Sequence, residues 1–240
     1  MTHFVLVHGT WTGGWQWQKT ADLLRRAGHD VLTPTLTGLG ERRHLMSRDI
    51  DLETHIADIV GVIDCERLGD VALVAHSYGG MVASAVADRR ADRIGALILI
   101  DAAKPEDGQA MLDFVTPARK RTVLDLAETA GAGYMVPNSL VLETGLSDAA
   151  ERDDFLSRTG PHPLASLLQP IRLAGKHLTI ARKAYVVATL NNSHHFRAYH
   201  DWAAAEDGWD AAELASHHFP MASMPQETAA LLQRLTAHMS

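Results

Sequence analysis

The stretch Val71-Ala72-Leu73-Val74-Ala75-His76-Ser77-Tyr78-Gly79-Gly80-Met81-Val82-Ala83 decides the fold of this chain. An uninterrupted apolar run, of the kind found in strands buried on both faces, ends at Ser77. Two glycines then open a segment with helical spacing, continued by Met81, Val82, Ala85 and Val86. A serine on such a strand–turn–helix corner is held in a strained position with its hydroxyl turned outward. Ala75, Gly79 and Gly80 are small because the strand and helix backbones cross closely there. In the usual Gly-x-Ser-x-Gly pattern Ala75 takes the first place, and alanine is the next smallest side chain. The plainer alternative is an ordinary strand-to-helix loop that happens to carry a serine; the flanking elements argue against it.

Outward from this corner the same alternation repeats. Phe4-Val5-Leu6-Val7 reads as a buried strand that ends at the glycine-punctuated loop His8-Gly9-Thr10-Trp11-Thr12-Gly13-Gly14-Trp15. Trp17, Ala21, Leu24 and Ala27 follow at helical spacing, with Gly28 where a helix C-terminus wants it. Val31-Leu32 is a short strand. Thr37-Gly38-Leu39-Gly40 lacks the third glycine and the helix that a dinucleotide fingerprint needs. Leu52, Ile56, Ile59, Val60 and Ile63 mark an amphipathic helix with Asp49 or Asp51 as N-cap. Ile94 to Ile100 is a further strand, ending at Asp101, and Tyr185 to Thr189 another.

Strands alternating with helices predict an α/β fold: a mostly parallel sheet with helices on both faces. Ligands of such sheets bind beyond the carboxyl ends of the strands, and His8-Gly9, Ser77 and Asp101 all stand at such ends. The alternation lapses between Lys104 and Lys183, where a helical segment from Met111 to Glu128 is followed by breaks at Gly131, Gly133, Pro137, Pro161, Pro163 and Pro170. The expected organisation is core over 1–103, an inserted helical cap over 104–183, and core again over 184–240. Helices are expected around Phe196 to Ala205 and from Pro225 to His238, the latter with a capping box from Ser223 and Gln226.

With 240 residues, 46% hydrophobic and 21% charged, the chain suits one packed α/β domain. A net charge of -7 argues against a nucleic-acid partner, whose footprint would be basic. The one cysteine, Cys65, allows no intramolecular disulfide, and its helical setting predicts a buried structural thiol. The N-terminus reads directly as a strand rather than as a signal peptide, and no apolar run reaches membrane-spanning length, so a cytoplasmic location is expected.

A serine hydroxyl is a weak nucleophile until a histidine takes its proton and a carboxylate orients that histidine. In this fold class the chain order is Ser, then Asp or Glu, then His. His218, late in the chain and just ahead of the last helix, is the expected base; His217 competes, and His194, His195 and His200 are weaker candidates. His76 is expected to be a packed structural residue and His8 a loop anchor. Fourteen histidines raise the question of zinc, but no helical His-x-x-x-His pair stands beside a third ligand, so no metal and no cofactor are expected.

These features together resemble the α/β-hydrolase superfamily. His8-Gly9-Thr10-Trp11 with Gly14-Trp15, the corner Ala75-His76-Ser77-Tyr78-Gly79-Gly80, and His218 are similar to the plant methylesterase and hydroxynitrile lyase family and its bacterial esterase-like relatives. The resemblance implies an oxyanion hole from the backbone N–H groups of Thr10 and Tyr78. Where the plant enzymes place the acid, this chain has Asn191. Asp101, ending the strand after the nucleophile strand, occupies the site used for the acid in haloalkane dehalogenases and some lipases, and Ala102-Ala103-Lys104-Pro105 resembles the dehalogenase segment there. The expected triad is Ser77, His218 and Asp101, with a helix N-cap or a loop hydrogen-bonder as the lesser role for Asp101.

Hydroxynitrile lyases of the family carry threonine at the place of Gly9 and lysine after the catalytic histidine, where Phe219 stands here, so cyanohydrin cleavage is not expected. Dehalogenase and epoxide hydrolase chemistry would need an aspartate in place of Ser77. The expected protein is a cofactor-free serine hydrolase that cleaves a small or medium carboxylic ester through an acyl-enzyme. Its pocket is expected to be shaped by Gly9, Trp11, Trp15, Asn191 and Phe219, with cap residues Phe114, Leu140 and Leu167. A small-molecule ester is the expected partner, with neither nucleic acid nor membrane, and a homodimer stays open. The alternatives are a cyclase or lyase on the same fold, or a catalytically dead binding protein suggested by Asn191.

Overall fold

The computed structural model describes residues 1–141, 144–237 and 239. In chain order the elements are β1 His3–Val7, α1 Gln18–Arg26, β2 Asp30–Leu32, α2 Leu52–Cys65, β3 Val71–His76, α3 Gly79–Arg89 and β4 Ile94–Ile100. Then come α4 Pro117–Ala130, β5 Met135–Val136, α5 Ala149–Ser157, β6 His162–Pro163 and α6 Leu164–Leu168. The chain ends with β7 Arg182–Ala188, α7 His194–Ala205, β8 Trp209–Leu214, α8 Pro220–Ser223 and α9 Pro225–Leu235. Six strands form one sheet in the order β2-β1-β3-β4-β7-β8, every neighbouring pair parallel.

Period-two alternation divides each central strand between two cores. Val5, Val7, Leu73 and Ala75 point to one face, where Ile56, Ile59 and Ile63 of α2 and Val82, Ala85 and Val86 of α3 cover them. Phe4, Leu6, Ala72 and Val74 point to the other, covered by Ala21 and Leu24 of α1 and Leu231 and Leu232 of α9. Asp51 caps α2 through a reciprocal pair with Thr54.

The sheet's last strand escapes the sequence pattern. Trp209-Asp210-Ala211-Ala212-Glu213-Leu214 is an edge strand with one partner and only Leu214 buried, and so lacks the apolar run that marks the others. Three further expectations need correction. Cys65 is exposed, because it ends α2 beyond the buried stripe. Ser223 does not cap α9: its hydroxyl is engaged with Ser216 and donates to the carbonyl of Phe219, and α9 starts behind Pro225 without a side-chain cap. His238, the expected last residue of that helix, lies outside the described residues. In the cap, Met111–Asp113 is a separate 3-10 turn and the helix begins at Pro117, capped by Thr116. The cap also holds a small antiparallel pair, β5 with β6, that its prolines conceal, and β7 takes up Arg182 and Lys183 from its end.

Candidate active site

Three residues beyond the carboxyl ends of β1, β3 and β4 have left-handed backbones: Trp11 in the loop after β1 (φ 61°), and Ser77 (φ 54°) and Asp101 (φ 46°) directly after β3 and β4. Non-glycine residues hold such angles only where the surroundings impose them, and they concentrate at functional sites. At Ser77 the imposition is visible. A Cβ on Gly79 would come within 2.8 Å of the His8 carbonyl, and one on Gly80 would collide with that of Ala103, so α3 crosses the strand ends as closely as the backbone allows. The Ser77 carbonyl accepts from Gly80 and Ala103 N–H (3.1 and 3.0 Å), which fastens the corner to the chain after β4.

Asp101 is fully buried and hydrogen-bonded at both oxygens. Ala188 N–H donates to Oδ1 at 3.1 Å, and His218 Nδ1–H donates to Oδ2 at 2.7 Å. Asn191 Nδ2 donates to the same Oδ2 at 2.5 Å and lies 3.2 Å from His218 Nδ1. The backbone N–H of Asp101 donates to the Val186 carbonyl at 2.7 Å, so β4 and β7 share the burden of placing the carboxylate. With Nδ1 committed to Asp101, Nε2 is the nitrogen of His218 left to exchange a proton with a neighbour. The ring is held flat between neighbours, stacked on Phe196 at 5.5 Å with 5° between planes and edge-on to Phe219.

Behind the site, His76 Nε2–H donates to the His218 carbonyl (2.7 Å), while Nδ1 accepts from Gln16, whose oxygen in turn accepts from Thr12 (2.6 Å). Complete burial holds the His76 pKa well below its ordinary value, so the ring is a neutral strut. His8 is likewise fixed, donating from Nδ1 to the Gly9 carbonyl and accepting at Nε2 from Leu36 N–H; burial lowers its pKa to about 4. Both histidines are the structural residues expected of them. Sequence reasoning passed over two others, His55 and His162. His55 Nε2–H donates to the Thr37 carbonyl and its Nδ1 accepts from the Tyr78 hydroxyl at 2.8 Å. His162 packs edge-on against Tyr78 and donates to Ser166 at 2.9 Å.

One cavity opens over these groups. Ser77, His76, His218, Thr10, Trp11 and Phe219 form its floor, and the cap supplies Met111, Leu112, Phe114, Val115, Arg119, Val123 and Leu167, with Ser193 and Phe196 of the α7 region completing it. Four expected pocket residues lie elsewhere. Trp15 turns away to pack on Phe155 (4.9 Å) under the Arg158 guanidinium. Asn191 is spent on Asp101. Gly9 has no side chain to offer and its backbone is pressed against Ser77, where a Cβ would lie 2.9 Å from that of the serine. Leu140 contributes only its carbonyl, to Arg119. His217 does not line the cavity; it packs on Gly145. Among the described residues no three His, Cys, Asp or Glu side chains are grouped as a metal ion would require.

A parallel sheet with a serine corner and a histidine–carboxylate pair at its carboxyl end defines the hydrolases of the α/β class. The model of the alpha/beta hydrolase family matches residues 4–231, and this chain belongs to that family. It is 39% identical to a carbendazim hydrolyzing esterase of a Nocardioides strain, over 98% of this chain and all of that one. It is 24% identical to methyl jasmonate esterase 1 of Vitis vinifera, over 97% and 96% of the two chains. Among solved structures it is similar to an extracellular α/β-hydrolase from a Paenibacillus species, described as sharing structural and functional homology with tobacco salicylic acid binding protein 2. That likeness has a TM-score of 0.84 at 25% identity and covers 98% of this chain and 99% of the other. Among the described residues no helix is long and apolar enough to cross a membrane.

Proposed function

We propose that this ester-cleaving hydrolase is a cofactor-free serine esterase acting through an acyl-enzyme, with Ser77 as nucleophile, His218 as general base and acid, and Asp101 orienting the imidazole. The observation that carries this reading is the 2.7 Å hydrogen bond from His218 Nδ1 to the buried carboxylate of Asp101, with Ser77 on the wall of the same cavity. That bond fixes the tautomer whose Nε2 accepts the serine proton, and the carboxylate stabilises the imidazolium formed on attack. His218 then returns the proton to the leaving alcohol, and water repeats the sequence to release the acid. Thr10 and Tyr78 offer their backbone N–H groups to the oxyanion, a contribution of about 3 kcal/mol per donor.

The apolar cap wall of Phe114, Val115, Val123 and Leu167, with Trp11 and Phe219 on the floor, favours a small or medium ester. The names borne by the relatives, a carbendazim hydrolyzing esterase and a methyl jasmonate esterase, agree with a compact substrate. Hydrolysis of p-nitrophenyl acetate and butyrate by the wild type and by Ser77→Ala tests the reading: the variant is expected to lose at least about 10³-fold in kcat, and equal turnover by both would sink it. A fluorophosphonate probe separates this hydrolase from a cyclase, a lyase or an inactive binding protein. Covalent labelling at Ser77 supports the activated serine, and a probe that leaves Ser77 free argues for one of the others.

A further inference from the structure

One charged group on the cavity wall has no part in the chemistry above. Arg119 projects from the first turn of α4 into a lining that is otherwise apolar on the cap side, among Met111, Phe114, Val115, Val123 and Leu167. Its guanidinium is half-buried, and its one hydrogen bond there runs from Nη2 to the Leu140 carbonyl at 2.9 Å. Among the described residues no carboxylate pairs with it. Several other arginines on or beside helices are matched, Arg42 with Asp58, Arg89 with Glu53, Arg90 with Asp64 and Arg197 with Glu213, and Arg26, Arg121, Arg152 and Arg234, for which the described residues show no ion pair, are exposed to water. Even the adjacent Lys120 is offset by Asp113 at 3.2 Å. In a chain with 29 acidic residues against 22 lysines and arginines, a missing partner at this wall is not for want of acids.

Its place on the helix sharpens the point. The N-terminal turn of a helix is the positive end of its dipole and favours aspartate or glutamate, yet the first turn of α4 has no acid and carries Arg119. Burial pulls the guanidinium pKa down, and no acid among the described residues opposes it. An uncompensated charge beside apolar walls is costly unless an anion meets it. A guanidinium held by one Nη2 bond keeps further N–H donors for a planar, two-oxygen acceptor.

We propose that Arg119 is the recognition residue for a carboxylate carried by the substrate, so that the preferred esters are half-esters, cleaved at one end over Ser77 and held at the other against α4. The apolar wall between the two ends then takes the carbon spacer. This assignment rests on the reading of Ser77 as nucleophile and adds the substrate's charge to it.

Two esters with five-carbon acyl groups test it: mono-4-nitrophenyl glutarate, which ends in a carboxylate, and 4-nitrophenyl pentanoate, which ends in a methyl group. For the wild type at low ionic strength, kcat/KM is expected to favour the glutarate by about tenfold or more. In 0.5 M NaCl that preference is expected to shrink several-fold. Arg119→Gln is expected to cut the glutarate-to-pentanoate ratio by about tenfold, chiefly through KM, and Arg119→Lys to restore part of it. A wild-type preference for the neutral ester, or a ratio indifferent to salt, overturns the proposal without any variant having to fold. A ratio within twofold of wild type in Arg119→Gln overturns it as well and leaves Arg119 a cap residue tied to Leu140. Failure of the serine mechanism reads out separately, as turnover of both esters by Ser77→Ala.

Discussion

The sheet ends and the cap face each other across one cavity and are built on opposite principles. At the sheet ends the polar groups answer one another: both oxygens of Asp101, both nitrogens of His76 and both of His8 have partners on neighbouring strands or loops. Main-chain bonds between β4 and β7 and the close crossing of α3 leave this half little freedom. The cap, by contrast, presents apolar side chains from short turns and one helix, and its single polar contribution to the wall has no acidic partner among the described residues. Chemistry that must meet a developing charge needs groups fixed in advance, whereas the choice of substrate needs only shape and a complementary charge. The division of labour follows from which elements can be rigid.

Substitutions can break that contrast, and the largest effect belongs to the sheet side. Asp101→Asn keeps the shape but removes the acceptor that fixes the His218 tautomer, and kcat on p-nitrophenyl butyrate is expected to fall about 10³- to 10⁴-fold. If kcat instead survives in Asp101→Asn and is lost in Asn191→Ala, the acid role assigned to Asp101 is wrong. A second effect also belongs to the sheet side, where His8 and His55 are buried neutral with pKa values near 4. The unfolded chain takes up protons there below its ordinary histidine pKa of about 6.5, while the folded chain resists until about 4. Stability is therefore full above pH 6.5 and falls as the pH drops toward 4, by about 3 kcal/mol for each histidine. Urea denaturation at pH 7 and pH 4.5 measures this, and equal midpoints would contradict it.

Smaller effects sharpen the comparison. Asn191→Ala removes one donor to Asp101 and leaves those of Ala188 and His218, so kcat is expected to fall only about tenfold. A displaced pH–rate profile would accompany the loss if Asn191 tunes the pair, and an unmoved profile would reduce it to a packing role. On the cap side, Val123→Ala deepens the apolar wall and should alter the order of preference among acetate, butyrate and hexanoate esters by up to about tenfold. A uniform loss on all three would mean that the cap takes part in chemistry rather than selection.

The same contrast explains what the residues reveal when read as a string. Strand ends announce themselves because buried parallel strands must be apolar throughout and because the corner at Ser77 tolerates only small neighbours. Asp101 was recoverable for the same reason: it ends such a strand. The edge strand Trp209–Leu214 was hidden, since with one partner and open faces it needs no apolar run. In the cap, 3-10 turns and a two-residue strand pair leave no period to detect, and Met111 to Glu128 resembles one helix although Thr116-Pro117 starts a new one. Trp15 looked like a pocket aromatic from its neighbours in sequence, yet the 3-10 turn Gly14–Trp17 aims it at Phe155. The one signal that pointed to Arg119 was present all along, a basic residue in a helical turn where acids are favoured.

Trp11 joins the two halves, and its bonds have a kinetic meaning. Its indole donates to the Val136 carbonyl at 3.1 Å, its carbonyl accepts from Gly160 at 2.9 Å, and its N–H faces His162 at 3.5 Å, all three partners lying in or beside the β5–β6 pair. The left-handed residue that follows Thr10 is thus tied to the cap rather than to the sheet. If Thr10 serves the oxyanion, lifting this side of the cap would misaim the donor. Damage to the β5–β6 pair would then surface as slow turnover and not merely as loose binding.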